Sequence, residues 1–441
     1  MPKQRHVVLL IADSLRYDAV YPSVNLPFVT SRGQSFHQAR SAGCWTLPST
    51  ASMFTGLYPH QHGADTASRQ LRLSAPPLAA RMVEAGLEAH QVTANATTTH
   101  IFGLHQGFSS VNRVWREMRQ RYPSIHKALV LAGKPRLRRR LFTRDALNGQ
   151  LAADLTASTV WLQNTVGEVL DRGRSLLEAA EKRGRSTFLF LNLMETHFPY
   201  HIADTVEMLS DGAIGALREL RQLYHLVNQS WLTGGGAEPS VEGLAVIRER
   251  QRRAWLRLAP MIDRFVEELV TRHDALVVLG SDHGDNFGEH GWAYHFSNVS
   301  DAGNRVPLFR VGPETVAEHH HRPFSNLGIF HDLLAAIGAP DGIPLSEAPE
   351  HAPAILQSCW YHGHGRTLPR YRHHQLCFIH EQRRLLHRAG RWHQSPVTID
   401  GPEAPFTRLD AGVDPLAELP SGPREAYRKT FDDFQAYTER L

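Results

Sequence analysis

Val7-Val8-Leu9-Leu10-Ile11-Ala12 is an unbroken apolar run that ends in Asp13. A strand that faces solvent on one side alternates polar and apolar residues. A strand buried on both faces of a parallel sheet reads as a continuous hydrophobic run. Two more runs of this kind follow, Thr187-Phe188-Leu189-Phe190-Leu191-Asn192-Leu193 and Ala275-Leu276-Val277-Val278-Leu279-Gly280. Each runs straight into polar residues, Glu195-Thr196-His197 and Ser281-Asp282-His283. Helical patterns around 50–55 and 78–85, the second stopped by Gly86, and a further strand at 89–94 lie between them. Buried strands separated by helices predict an α/β fold. In such sheets ligands bind beyond the carboxyl ends of the strands, so the polar ends should converge on one rim.

The 441 residues are enough for one large catalytic domain with insertions, or for two domains. A composition of 42% hydrophobic and 21% charged residues is that of an ordinary globular enzyme. The net charge of +4 is a weak pull on an anionic partner, whereas 27 histidines suggest metal or anion chemistry. Three cysteines (Cys44, Cys359 and Cys377) argue against a disulfide scaffold. With the first strand beginning almost at the N-terminus and no run of membrane-spanning length, the expected location is cytoplasmic, without a membrane partner. Residues 113–146, centred on Arg138-Arg139-Arg140, and residues 204–256, broken at Gly234-Gly235-Gly236, read as helical or basic insertions. The basic stretch lacks the aromatic interleaving of a nucleic-acid module, and a solvated face is its ordinary explanation. His319-His320-His321 reads as an exposed loop. Pro-rich sequence around 340–353 marks a boundary, giving a catalytic domain over 1–340 and a smaller C-terminal subdomain over 341–441.

Four segments carry the chemistry: 10–16 (LIADSLR), 44–63 (CWTLPSTASMFTGLYPHQHG), 192–200 (NLMETHFPY) and 280–291 (GSDHGDNFGEHG), the last followed by His295. In this order and approximate spacing they resemble the sulfatase family of the alkaline phosphatase superfamily. The Pro48-Ser49 step, the Phe54-Thr55-Gly56 end and the Ser281-Asp282-His283-Gly284 turn are specific in combination. The resemblance covers about residues 6–312; the last third matches poorly. It implies an α/β sandwich with a mostly parallel central sheet flanked by helices, plus a small C-terminal α+β subdomain. It also implies hydrolysis of a small anionic ester at a divalent cation.

The resemblance places metal ligands at Asp13, Asp282 and His283, with the Thr46 side chain completing the shell. Many family members hold Ca²⁺ with two consecutive Asp, and with Asn after the later Asp. Here Ser14 follows Asp13 and His283 follows Asp282, which removes carboxylate and adds imidazole. That favours Zn²⁺ or Mn²⁺ over Ca²⁺ or Mg²⁺. One ion is expected, with two as the alternative.

Sulfate-cleaving members carry Cys or Ser in a Cys-x-Pro-x-Arg motif and convert it to formylglycine. Here Thr46 stands in the Cys position and Thr50 where the Arg would be. Cys44 lies two residues early and lacks the following Pro. An unmodified Thr is the nucleophile of phosphodiesterases and phosphotransferases in the superfamily, so a phospho-Thr46 intermediate is expected. Thr46 precedes the helical pattern and so lies where a helix N-terminus would face the oxyanion. His197 is expected to bind or protonate an ester oxygen. His295 stands near the family's anion-contacting Lys and is a candidate general acid. Asn95 aligns with an anion-contacting segment.

The expected function is phosphate mono- or diester hydrolysis. The alternatives are a sulfatase without formylglycine, a phosphoryl or sulfuryl transferase, and a catalytically silent binding protein. Taken singly, each residue has a plainer reading: Asp13 or Thr46 as a cap, His197 as a histidine bonded to a backbone carbonyl.

Overall fold

The computed structural model describes residues 6–21, 23–114, 165–198, 200, 240–295, 298–359, 372–399 and 403–441. The three apolar runs are adjacent strands. Val7–Ala12 pairs in parallel with Thr187–Leu193 on one side and with Leu276–Gly280 on the other. Their ends are in step: Ala12 lies opposite Leu193 and Ile11 opposite Gly280. Asp13 and Asp282 therefore leave the sheet on the same rim, as the polar strand ends predicted.

The sheet has eight strands. Across it run Glu318–His320, Gln34–Phe36, Leu308–Val311, Leu276–Gly280, Val7–Ala12, Thr187–Leu193, Glu88–Thr93 and Ser110–Arg113. Leu308–Val311 is antiparallel to both of its neighbours and every other pairing is parallel, so the sheet is mixed but mostly parallel.

Successive side chains of the central strand alternate between two cores. Val8, Leu10 and Ala12 pack with Val169 and Leu177 and with Trp255, Leu258, Ile262 and Phe265 of the Val241–His273 helix. Val7, Leu9 and Ile11 pack with Leu47, Ala51 and Phe54, with Met82, and with Ile329 and Leu333. Each fully buried aliphatic side chain contributes about 1.5–3 kcal/mol of transfer free energy, so helices on both faces stabilise strands that are apolar throughout.

Several expectations need adjustment. The helix expected from residue 50 spans Thr46–Thr55, so Thr46 is its first residue instead of lying ahead of it. Pro48 falls in the first turn, where no N–H donor is needed. The 89–94 strand is Glu88–Thr93. His319 and His320 lie in an edge strand, not a loop. They pair beside Ser35 and Phe36, and His319 Nδ1 is 2.9 Å from His37 Nε2. Of the 204–256 stretch, residues from Val241 onward form the start of a 33-residue helix whose apolar face enters the core. The Arg138-Arg139-Arg140 run and Gly234-Gly235-Gly236 lie outside the described residues.

Beyond the Pro-rich stretch, Ala354–Ser358, Gln375–His380, Arg383–Arg388, Arg391–Pro396 and Thr407–Arg408 form an antiparallel sheet in chain order. The Ser421–Thr438 helix covers it through Tyr427 and Phe434. The Gln357 N–H donates to the Ala42 carbonyl (2.8 Å), and Tyr437 Oη donates to Asp65 Oδ2 (2.6 Å). Both contacts tie this sheet to the segment that carries Thr46. Among the described residues no helix is long and apolar enough to cross a membrane.

Candidate active site

Asp13 continues the central strand's ladder by one bond, its N–H donating to the Leu193 carbonyl at 2.8 Å. The next residue, Ser14, sits at φ 60°, a left-handed conformation that is costly for a non-glycine residue. That conformation points the Ser14 N–H at Asp282 Oδ1 (3.1 Å) while its hydroxyl donates to Asp13 Oδ1 (3.2 Å). Asp13 Oδ2 accepts from the amides of Asn95 (2.8 Å) and Asn192 (3.2 Å). Asp282 Oδ1 also accepts the His283 N–H (2.9 Å), but Asp282 Oδ2 is buried with no hydrogen-bond partner.

His283 completes the cluster. Its Nδ1 lies 2.9 Å from the Gly284 carbonyl, which can only accept, so in the neutral ring Nδ1 carries the proton and Nε2 presents a lone pair. Nε2 lies 3.4 Å from Asp282 Oδ2, 3.7 Å from Asp13 Oδ1 and 3.3 Å from Thr46 Oγ1. Asp13, Asp282 and His283 are all fully buried. Burial, and after it the Asp13 charge, pushes the Asp282 carboxyl up to about 7. Burial pulls the His283 imidazole down, but Asp282 and Asp13 outweigh it and leave it raised. Two dry carboxylates, one with an orphaned oxygen, face a lone-pair nitrogen and a hydroxyl. That donor set fits a divalent cation of intermediate softness. The tautomer fixed by a backbone carbonyl is the arrangement that orients a ligating histidine.

The helix places Thr46. Trp45 is extended, Thr46 starts the first turn, and Ser49 one turn on donates from Oγ to the Asp282 carbonyl (2.5 Å). The Asn326 amide donates to Ser49 Oγ (2.8 Å), fastening the helix to the Asp282 turn. Thr46 Oγ1 also lies 3.4 Å from the Asn95 amide. A hydroxyl at the first turn of a ten-residue helix sits at its positive end.

The remaining predicted residues gather on one side of this cluster. The His295 ring lies 4.5 Å from the His283 ring and 5.2 Å from the His197 ring, centroid to centroid. His197 Nδ1 donates to the Phe198 carbonyl (2.7 Å). His295 Nδ1 is 2.5 Å from Asp285 Oδ1, and Tyr200 Oη donates to Asp285 Oδ2 (2.6 Å). Burial drives the His295 imidazole down to about 4, outweighing Asp285. Burial acts to raise the Asp285 carboxyl, but His295 prevails and holds it below the ordinary range.

All seven sequence-predicted residues (Asp13, Thr46, Asn95, His197, Asp282, His283 and His295) thus lie close together near the strand ends. Sequence reasoning assigned no role to Asp285, Tyr200, Ser49 or Asn192. Asp285 had a signal, its place two residues after His283 in a glycine-flanked turn. Ser49 and Asn192 had only their places in the quoted segments.

Compared with known proteins, residues 5–339 match the family model described as Sulfatase. A choline-sulfatase from Rhizobium meliloti (strain 1021) is 31% identical over 200 residues. That match covers 42% of this chain and 37% of the relative, so the chain spans little more than a third of that protein. Among solved structures, the phosphonate monoester hydrolase SpPMH from Silicibacter pomeroyi superposes with a TM-score of 0.61 at 18% identity, covering 99% of this chain and 96% of that one. The phosphonate monoester hydrolase of Agrobacterium radiobacter gives 0.63 at 17% identity, covering 98% and 96%. A 2-O GAG sulfatase gives 0.58 at 15% identity, covering 99% and 93%.

Proposed function

We propose that this chain, which belongs to the sulfatase family of hydrolases, cleaves phosphate mono- or diesters through a covalent intermediate on Thr46. The observation that carries the reading is the Thr46 hydroxyl, 3.3 Å from His283 Nε2 beside two buried carboxylates. Asp13, Asp282 and His283, with Thr46 Oγ1, would hold one divalent ion, Zn²⁺ or Mn²⁺ in preference to Ca²⁺ or Mg²⁺. Such an ion neutralises ester oxygens and lowers the pKa of a bound hydroxyl.

The residues of the chain then divide the work. Thr46 Oγ1 attacks phosphorus from the positive end of its helix, and the ester oxygen departs on the opposite side. Asn95, already donating to Asp13 and close to Thr46, orients the nucleophile and an ester oxygen. His197 and His295 line the side on which the leaving oxygen needs a proton. Water then cleaves the phospho-threonine, or an acceptor alcohol takes the group. Unmodified threonine suits phosphorus, since no formylglycine hydrate is available to expel sulfate. We place the protein in the cytoplasm, a reading supported by buried Cys44, Cys359 and Cys377, which form no disulfide among the described residues.

A second reading, sulfate ester hydrolysis without formylglycine, draws on the choline-sulfatase relative. Assaying the Mn²⁺- and Zn²⁺-loaded protein on nitrophenyl phosphate, bis-nitrophenyl phosphate, nitrophenyl phosphonate and nitrophenyl sulfate separates the two. Phosphorus esters should exceed sulfate by at least about a hundredfold in kcat/KM. Sulfate turnover above every phosphorus ester would replace the first reading with the second.

A further inference from the structure

We propose that Asp285 is a positioning residue that holds His295 with Nε2 toward the reacting ester, and that Tyr200 and Arg16 hold Asp285. The inference rests on the ester-hydrolase reading. Its ground is a chain of contacts that lies beside the Asp13, Asp282 and His283 cluster. His283, Asp285 and His295 also stand close enough to share an ion, and the metal measurement separates that role from positioning. Asp285 Oδ1 takes His295 Nδ1 at 2.5 Å and Oδ2 accepts the Tyr200 hydroxyl at 2.6 Å, so both oxygens are committed. The Arg16 guanidinium donates to the Asp285 carbonyl (2.9 Å) and pairs with Glu289 (2.7 Å), fixing the backbone that carries the carboxylate. Asp285 is fully buried and His295 nearly so. A carboxylate can only accept, so His295 Nδ1 carries a proton and Nε2 is the nitrogen that serves the substrate. The His295 ring is meanwhile stacked on Tyr294 at 3.9 Å between centroids, which leaves it little freedom to turn.

One proton then travels on Nε2. His295 takes up a proton from solvent at Nε2 when the anionic ester binds beside it. In the first half-reaction the P–Oγ bond to Thr46 forms, the ester P–O bond breaks, and that proton goes to the departing oxygen. In the second, water oxygen bonds to phosphorus, the P–Oγ bond breaks, and the water's proton returns to Nε2. Thr46 enters and leaves as the oxyanion, and Asp285 ends the cycle as it began. Because a proton is needed most when the leaving oxygen is basic, losing Asp285 should cost most on poor leaving groups.

The test compares wild type, Asp285→Asn and Tyr200→Phe, all metal-loaded, on an alkyl and a nitrophenyl ester of the same phosphorus acid. Metal content and the imidazole N–H proton resonances are followed in parallel. Asp285→Asn should lower kcat on the alkyl ester by about a hundredfold and on the nitrophenyl ester by less than about tenfold, with KM changed less than about threefold. Tyr200→Phe should move kcat the same way by about three- to tenfold. Metal stoichiometry should hold, and a strongly deshielded N–H proton present in wild type should vanish in Asp285→Asn and in His295→Gln. Equal losses on both esters, metal lost with Asp285, or persistence of that proton in Asp285→Asn would each overturn the proposal. A wild type inactive on every ester would sink the hydrolase reading, and the N–H resonance would still decide whether Asp285 orients His295.

Discussion

At the scale of the residue, the site is defined by what each polar atom lacks. Asp282 Oδ2 is dry and unpartnered, and it lies 3.4 Å from a histidine nitrogen that presents a lone pair. Replacing Asp282 with Ala should therefore cut bound divalent metal well below one ion per chain, measured by elemental analysis after gel filtration. Unchanged stoichiometry would remove Asp282 from the ligand set. Thr46→Ala should lower kcat by about a thousandfold or more while the unfolding midpoint stays put, and Thr46→Ser should recover part of the activity. Near-wild-type turnover in Thr46→Ala would take the hydroxyl out of the chemistry. These residues were legible because each sits beside a distinctive neighbour, Thr46 before Leu47-Pro48-Ser49 and Asp282-His283 between Ser281 and Gly284. Asp285 lies in the same segment, but its pairing with His295 depends on a turn whose path the sequence does not spell out.

At the scale of the element, strands were easier to read than helices. A strand buried on both faces writes its burial into a run that is wholly apolar, as Val7–Ala12, or nearly so, as Thr187–Leu193, and both strands begin and end where those runs do. The Val241–His273 helix was harder. It spreads its apolar residues over one face, carries Pro260 inside, and begins within a stretch read as an insertion. Its contribution to the site is long-range. The Gln251 amide donates to the Ser14 carbonyl (2.8 Å) and the Thr196 carbonyl (3.0 Å), joining the segments that carry Asp13 and His197. Gln251→Ala strands two buried carbonyls and should destabilise the protein by about 2–4 kcal/mol in urea unfolding. It should also lower kcat by loosening Ser14. A loss below about 0.5 kcal/mol would show that water replaces the amide.

At the scale of the whole molecule, the sheet rim brings Asp13, Asp282 and His283 together from two strand ends and Thr46 from a helix, while the C-terminal sheet buttresses the segment behind Thr46. His62 reports on that buttress. Ala64 N–H donates to its Nδ1 (3.1 Å), so Nε2 carries the proton toward Ser52 Oγ (3.1 Å), and burial holds the imidazole down at about 3. The folded value lies below the unfolded one of about 6.5, so this stabilisation is complete above pH 6.5 and is lost as pH falls toward 3. Its full loss is on the order of 4 kcal/mol. Unfolding midpoints should fall between pH 7 and 4, and fall less in His62→Asn; identical pH profiles would assign acid lability elsewhere. The central claim, a threonine that carries the transferred group, is tested most directly by the stereochemical course at phosphorus. With a chiral phosphorothioate diester hydrolysed in isotopically labelled water, two displacements through Thr46 predict retention of configuration. Inversion would mean a single displacement by water and would contradict the covalent intermediate.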